Sequence, residues 1–221
     1  MPGLDGSGVL FEPFIESLPG DVRCTVVTYP PRERLSMSEL VEVAFRQIPA
    51  DRDVVLVAES FSGPLAAELL KRDLPAVRAV VFVATFLEPP RPFLLWLARV
   101  LPLSCILRIP TPSVLIRRAS LGAGAGEPLI ALFREARRAV SPDVLASRLR
   151  MIARLKGATG RIDIPALYLR ATRDRLVPPR CIEAFRAVAP HLQVAQVDGP
   201  HLVLQARPRE CWQVLRGFAH H

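Results

Sequence analysis

Short apolar runs punctuate the chain: CTVVTYP (24–30), DVVLVAE (53–59), AVVFVAT (79–85), PALYLRAT (165–172) and LQVAQVD (192–198). Most are continuous stretches of β-branched and aliphatic residues, the pattern of strands buried on both faces. Between them, MSELVEVAFRQI (37–48), GPLAAELLKRD (63–73) and PPRCIEAFRAVA (178–189) repeat apolar residues at three- and four-residue intervals and predict amphipathic helices. Buried strands alternating with helices predict an α/β fold, a mostly parallel sheet flanked by helices on both faces. No repeat of fixed period emerges.

The alternation breaks between Glu88 and Lys156. That stretch opens on the proline cluster LEPPRPF, contains RIPTPS and the glycine-rich LGAGAGEP, and otherwise reads as several helices. Leu, Ile, Trp96 and Phe133 lie on one side of these helices and many arginines on the other. An insertion of about 70 residues is too long for a plain crossover. It reads as a helical cap over the C-terminal edge of the sheet, where open α/β folds bind ligands. The expected organisation is a core in two parts, 1–87 and 157–221, with the cap at 88–156.

Composition narrows the partners. Half of the 221 residues are hydrophobic, which argues against disorder. The net charge of +8 comes almost wholly from arginine, since Lys71 and Lys156 are the only lysines. No nucleic-acid motif accompanies that charge and aromatics are only 6%, so no nucleic-acid partner is expected. An acidic protein or an anionic substrate remains compatible with it. Cys24, Cys105, Cys181 and Cys211 are far apart and form no CxxC pair, so neither a structural zinc site nor a disulfide framework is indicated, and buried reduced thiols are expected. The opening MPGLDGSG has no secretory character, and the most apolar stretch, PFLLWLARVLPLSCILRIP, is broken by Arg99 and Pro102. A cytoplasmic protein without stable membrane insertion is expected; surface attachment through 93–107 is the minor alternative.

The run VVLVA ends at Glu59 and Ser60 and is followed at once by a helical pattern. A serine on a sharp strand-to-helix turn stands exposed above the sheet, provided the residues two before and two after are small. Ala58 and Ser62 meet that requirement in place of glycines. The alternative is Ser60 as an ordinary helix cap. A serine nucleophile needs a base, oriented in turn by a carboxylate. Of the four histidines, His220 and His221 end the chain and His191 leads into a strand, whereas His201 follows the last strand in VDGPHLVLQARP. Asp174 follows the penultimate strand in LYLRATRDRLVPP and is the candidate acid; Glu88, one strand earlier, is the alternative. An oxyanion hole needs two backbone N–H groups. Phe61 supplies one, and Leu4, in the glycine-rich PGLDGSGVLF, is the candidate for the other.

Together PGLDGSG, AESFSGPLA, RATRDRLVPP and DGPHLVLQARP resemble the α/β-hydrolase superfamily, in particular small bacterial hydrolases with a helical lid, and the layout is similar to that of pimeloyl-acyl-carrier-protein methyl ester esterases. The resemblance implies an eight-stranded, mostly parallel sheet and a Ser60–Asp174–His201 triad. It also implies an acyl-enzyme intermediate and no metal or organic cofactor. The activity implied is hydrolysis of a carboxylic ester or thioester, small or carrier-bound; a catalytically inactive or truncated hydrolase-fold binding protein is the alternative. By the same analogy the lid arginines Arg137, Arg138, Arg148, Arg150 and Arg154 would face an acidic carrier protein.

In this fold the oxyanion loop is the exit of a central strand between CTVVTYP and the strand ending at Ser60. The sequence opens on that loop, so this strand and the two before it are missing from it. A gap of roughly 10 Å with two unpaired edges is expected, and with it a loosely held Leu4. A start codon further upstream, a divergent or truncated member, and an inactive remnant are the three explanations.

Overall fold

The computed structural model describes residues 1–219; His220 and His221 lie outside the described residues. Its centre is a parallel sheet of four strands, β1 (Val54–Glu59), β2 (Val77–Val83), β3 (Ala166–Ala171) and β4 (Gln193–Val197), in the order β1-β2-β3-β4. Ala58 lies opposite Phe82, Phe82 opposite Tyr168 and Tyr168 opposite Val194. Because all four strands run the same way, the loops that follow them emerge on one edge, and these loops carry Ser60, Thr85, Asp174 and His201.

Helices cover both faces, as the apolar strands require. Val80, Phe82 and Tyr168 pack with Leu40, Leu65, Leu69 and Phe185, supplied by α2 (Met37–Phe45), α3 (Ser62–Leu69) and α9 (Cys181–Val188). Val81, Val83, Leu167 and Leu169 point the other way. They meet Phe14, Leu204, Leu215 and Phe218 from α1 (Glu12–Glu16), α10 (Val203–Ala206) and α11 (Pro208–Ala219). Each such side chain contributes about 1.5–3 kcal/mol on burial. Ser36 starts α2 with a capping box: its Oγ accepts from Glu39 N–H, and the Glu39 carboxylate accepts from Ser36 N–H at 2.7 Å.

Between β2 and β3 the chain builds α4 (Pro92–Val100), α5 (Leu103–Ile106), α6 (Ser113–Ile116), a π-helical turn (Arg117–Leu121), α7 (Glu127–Ala139) and α8 (Pro142–Ile152). Phe93 and Trp96 of α4 are exposed and stack with ring centroids 6.4 Å apart.

Four sequence expectations need correction. Of the eight strands the resemblance implies, five remain once the three missing ones are set aside, and the sheet has four among the described residues. The run 24–30 is extended but joins no sheet. Thr28 N–H donates to the Gln47 side chain and Tyr29 N–H to Gly6 O, while the side chains of Val27 and Tyr29 are buried. A β-rich sequence forms ladder bonds only where a neighbouring strand offers them. The expected gap lies beside β1 as a cavity of about 500 Å³, lined by Val54–Val57 on one side and Val22–Val27 on the other. Leu4 and its loop are firmly held. Met1 makes a parallel rung with β1, its amine donating to Val57 O at 2.7 Å and its carbonyl accepting from Glu59 N–H at 3.2 Å. Arg148 of α8 then donates to Leu4 O, Asp5 O and Pro30 O, at 2.8, 2.7 and 3.1 Å. Arg148 is only 2% exposed, so it clamps the loop and faces no partner. The thiols are not uniformly buried: Cys24 and Cys105 are exposed, Cys181 and Cys211 buried.

Candidate active site

Ser60 ends β1 and turns the chain into α3 with φ 49°. A non-glycine residue in this region is strained and persists only where its surroundings over-determine it. Several neighbours do so here. Ser60 N–H donates to Val83 O at 3.0 Å, and Thr85 Oγ donates to Ser60 O. Tyr168 OH in turn donates to Thr85 O at 2.6 Å and accepts from Thr85 N–H at 3.2 Å. A Cβ on Gly63 would lie 2.0 Å from Thr85 Oγ, so the helix meets β2 there only because position 63 is glycine. Ala58 and Ser62 are both fully buried, as the tight turn requires.

The structure brings Ser60, His201 and Asp174 together. Ser60 Oγ is 2.9 Å from His201 Nε2, and His201 Nδ1 is 2.8 Å from Asp174 Oδ2. The other Asp174 oxygen accepts from Leu176 N–H at 2.7 Å and Val177 N–H at 2.9 Å, which aims Oδ2 at the imidazole. The side chains of His201 and Asp174 are 6% and 5% exposed. Burial opposes charging His201, but the Asp174 charge and hydrogen bond, with help from Glu59, outweigh it and hold the imidazole pKa above its ordinary value. The alternative acid, Glu88, is exposed and packs beside Gly157, and His191 is exposed before β4. Neither joins the cluster.

Gly3 lies against Ser60: a Cβ built there would be 3.8 Å from Ser60 Cβ. This places the Leu4 loop beside the serine. Among the described residues neither Leu4 N–H nor Phe61 N–H has an acceptor. Ser62 Oγ donates to Pro2 O and contacts Tyr29 OH at 2.7 Å, tying the loop to the start of α3.

Glu59 and Gln205 were not anticipated. Glu59 is 1% exposed and accepts from Gln205 Nε2 at 3.2 Å, while among the described residues Glu59 Oε1 and Gln205 Oε1 have no partner. Burial pushes the Glu59 carboxyl up to about 7 against the pull of His201 and Gln205. Among the described residues no three of His, Cys, Asp and Glu gather as metal ligands, and no helix is long and apolar enough to cross a membrane.

The parallel sheet, the strained serine turn and the loops converging on one edge define the class of protein. Residues 2–214 match the model of the alpha/beta hydrolase family, and the chain belongs to that family of hydrolases. Similar solved structures include the RedJ thioesterase of the prodiginine biosynthetic pathway in Streptomyces coelicolor, at 21% identity, covering 100% of this chain and 88% of that one with a TM-score of 0.71. A hydrolase from Oleispira antarctica is 12% identical, covers 99% and 89% of the two chains, and has a TM-score of 0.74. A thermophilic esterase is 22% identical over 84% and 73%, with a TM-score of 0.65. At these identities the likeness is one of fold. No curated protein matches the chain.

Proposed function

We propose that this chain is a serine hydrolase acting on a carboxylic ester or thioester. The observation that carries the reading is the buried relay from Ser60 Oγ through His201 to Asp174, with links of 2.9 and 2.8 Å. Ser60 Oγ attacks the acyl carbon while His201 Nε2 takes its proton. Asp174 holds Nδ1–H, fixes the tautomer and stabilises the imidazolium as it forms. The N–H groups of Leu4 and Phe61 hold the oxyanion of the tetrahedral intermediate. Its collapse breaks the bond to the leaving group, which takes the proton from His201, and leaves an acyl-Ser60 ester. Water, deprotonated by His201, then releases the acid and restores Ser60. The helices of 88–156 serve as the cap and form the acyl pocket.

Hydrolysis of 4-nitrophenyl esters tests this. Substituting Ser60→Ala is expected to lower kcat at least about a thousandfold. In the parent protein, kcat/KM should rise with pH through a limb lying above the ordinary imidazole pKa, because His201 accepts a proton only when neutral and its pKa is held up. A folded protein with no Ser60-dependent turnover points instead to a hydrolase-fold binding protein.

A further inference from the structure

A cleft of about 770 Å³ opens beside the candidate triad, and no carboxylate lines it. Ser60, Asp174 and His201 are not among its lining residues, but chain neighbours of each are. Arg173 and Arg175 flank Asp174, Pro200 immediately precedes His201, and Gln205 reaches through its carboxamide to Glu59, the residue before Ser60. Another part of the wall is formed by Arg117, Arg118 and the glycine-rich segment 122–126. That wall closes on the histidine loop, since a Cβ on Gly122 would sit 3.4 Å from Pro200. With Arg207, five arginines line this one cleft.

Only part of this charge is answered within the chain. Glu127 pairs with Arg117 at 2.6 Å, and Asp198 with Arg173 at 3.0 Å. Among the described residues Arg118, Arg175 and Arg207 have no carboxylate partner. Exposed arginines are common on so basic a chain, and one of them alone would mean little. Three without a carboxylate partner along one cleft reinforce one another's field there. The guanidinium fork matches carboxylate and phosphate oxygens in pairs. Gln205 also lines the cleft, 4% exposed, and among the described residues its buried Oε1 has no hydrogen-bond partner. Leu121 and Leu129 supply apolar surface for the carbon chain.

We propose that this cleft is the subsite for an anionic group, a carboxylate or a phosphate, carried by the substrate. This rests on the serine-hydrolase reading and narrows its substrate class to acidic esters or thioesters. The test compares 4-nitrophenyl half-esters of linear dicarboxylic acids, succinate to suberate, with neutral 4-nitrophenyl esters of equal chain length. At low salt the ratio of kcat/KM, acidic over neutral, should exceed one for at least one chain length. It should fall about tenfold in the double variant Arg118→Gln/Arg175→Gln, the loss expected for charge-assisted hydrogen bonds. Removing the same kind of charge from α2 by Arg46→Gln should leave the ratio unchanged.

Inorganic phosphate and acetate, tried as inhibitors, distinguish the two anions by which competes more strongly. Hydrolysis of the neutral esters with a ratio at or below one throughout the series overturns the proposal. Calorimetric titration of the Ser60→Ala protein with inorganic phosphate keeps the two readings separable. Phosphate binding that weakens in a Ser60→Ala/Arg118→Gln protein supports the anion site even where no ester is turned over, and absence of binding counts against it.

Discussion

Glu59 stands one residue before the serine, buried, with one oxygen bonded to Gln205 and the other without a partner among the described residues. A carboxylate in that position is unfavourable, and its pKa of about 7 expresses the cost. The sign of the effect on stability follows from linkage. The folded-state pKa lies above that of the unfolded chain, so the folded state holds the proton more tightly, and stability falls as pH rises from about 4.5 to about 7. Glu59→Gln keeps the shape and removes the titration. Relative to the parent, this variant should gain a few kcal/mol of stability between pH 5 and 8, read from denaturant midpoints across that range. A constant difference over the range contradicts the assignment. Ser60, Asp174 and His201 were legible in the sequence because each directly follows a strand, which is a local signal. Glu59 and Gln205, 146 positions apart, meet only through packing, and no spacing announces them.

Elements read most clearly where the sequence is continuous and apolar on both faces. Residues 53–59, 79–85, 165–172 and 192–198 became β1 to β4 with ends moved by one or two positions. CTVVTYP carries the same signal but lies across the cavity from β1, so it packs without pairing. Strand propensity is a statement about neighbours as much as residues. The free edge of β1 has a measurable consequence. Val54 N–H and Ser60 N–H point to the β2 side, whereas Glu59 N–H bonds Met1. By alternation the N–H groups of Val55 and Val57 therefore face the cavity. Hydrogen exchange at Val55 and Val57 should be at least about a hundredfold faster than at Val80 and Val81 in the fully buried β2. Equal protection of the four amides would mean that the β1 edge is covered.

At the scale of the whole molecule, Arg148 ties the helices of 92–152 to the loop that carries Leu4. Arg148 reaches 144 positions back along the chain to Leu4 O. By analogy the sequence placed it among lid arginines facing a carrier protein; burial against Tyr29, with its guanidinium carbon 5.5 Å from that ring's centroid, gives it another task. Arg148→Ala leaves three carbonyls without their donor and should cost about 3 kcal/mol, lowering Tm by about 10 °C. An unchanged melting temperature would show that the loop is held by other contacts. The remaining charge is distributed unevenly, with five arginines lining the cleft next to the His201 loop. Composition alone reports the +8 and not its location, because arginines scattered through the chain converge only on folding.

The central claim is that Ser60 is an activated nucleophile, and covalent labelling tests it most directly. A fluorophosphonate probe forms a bond to a serine oxygen only where a neighbouring base has made it nucleophilic and an oxyanion site receives the phosphoryl oxygen. Incubation of the folded protein with such a probe, followed by digestion and mass spectrometry, should place one adduct on Ser60. Labelling should be lost in Ser60→Ala and strongly slowed in His201→Ala. A protein with intact melting behaviour that takes up no probe, or takes it up at another residue, would contradict the account.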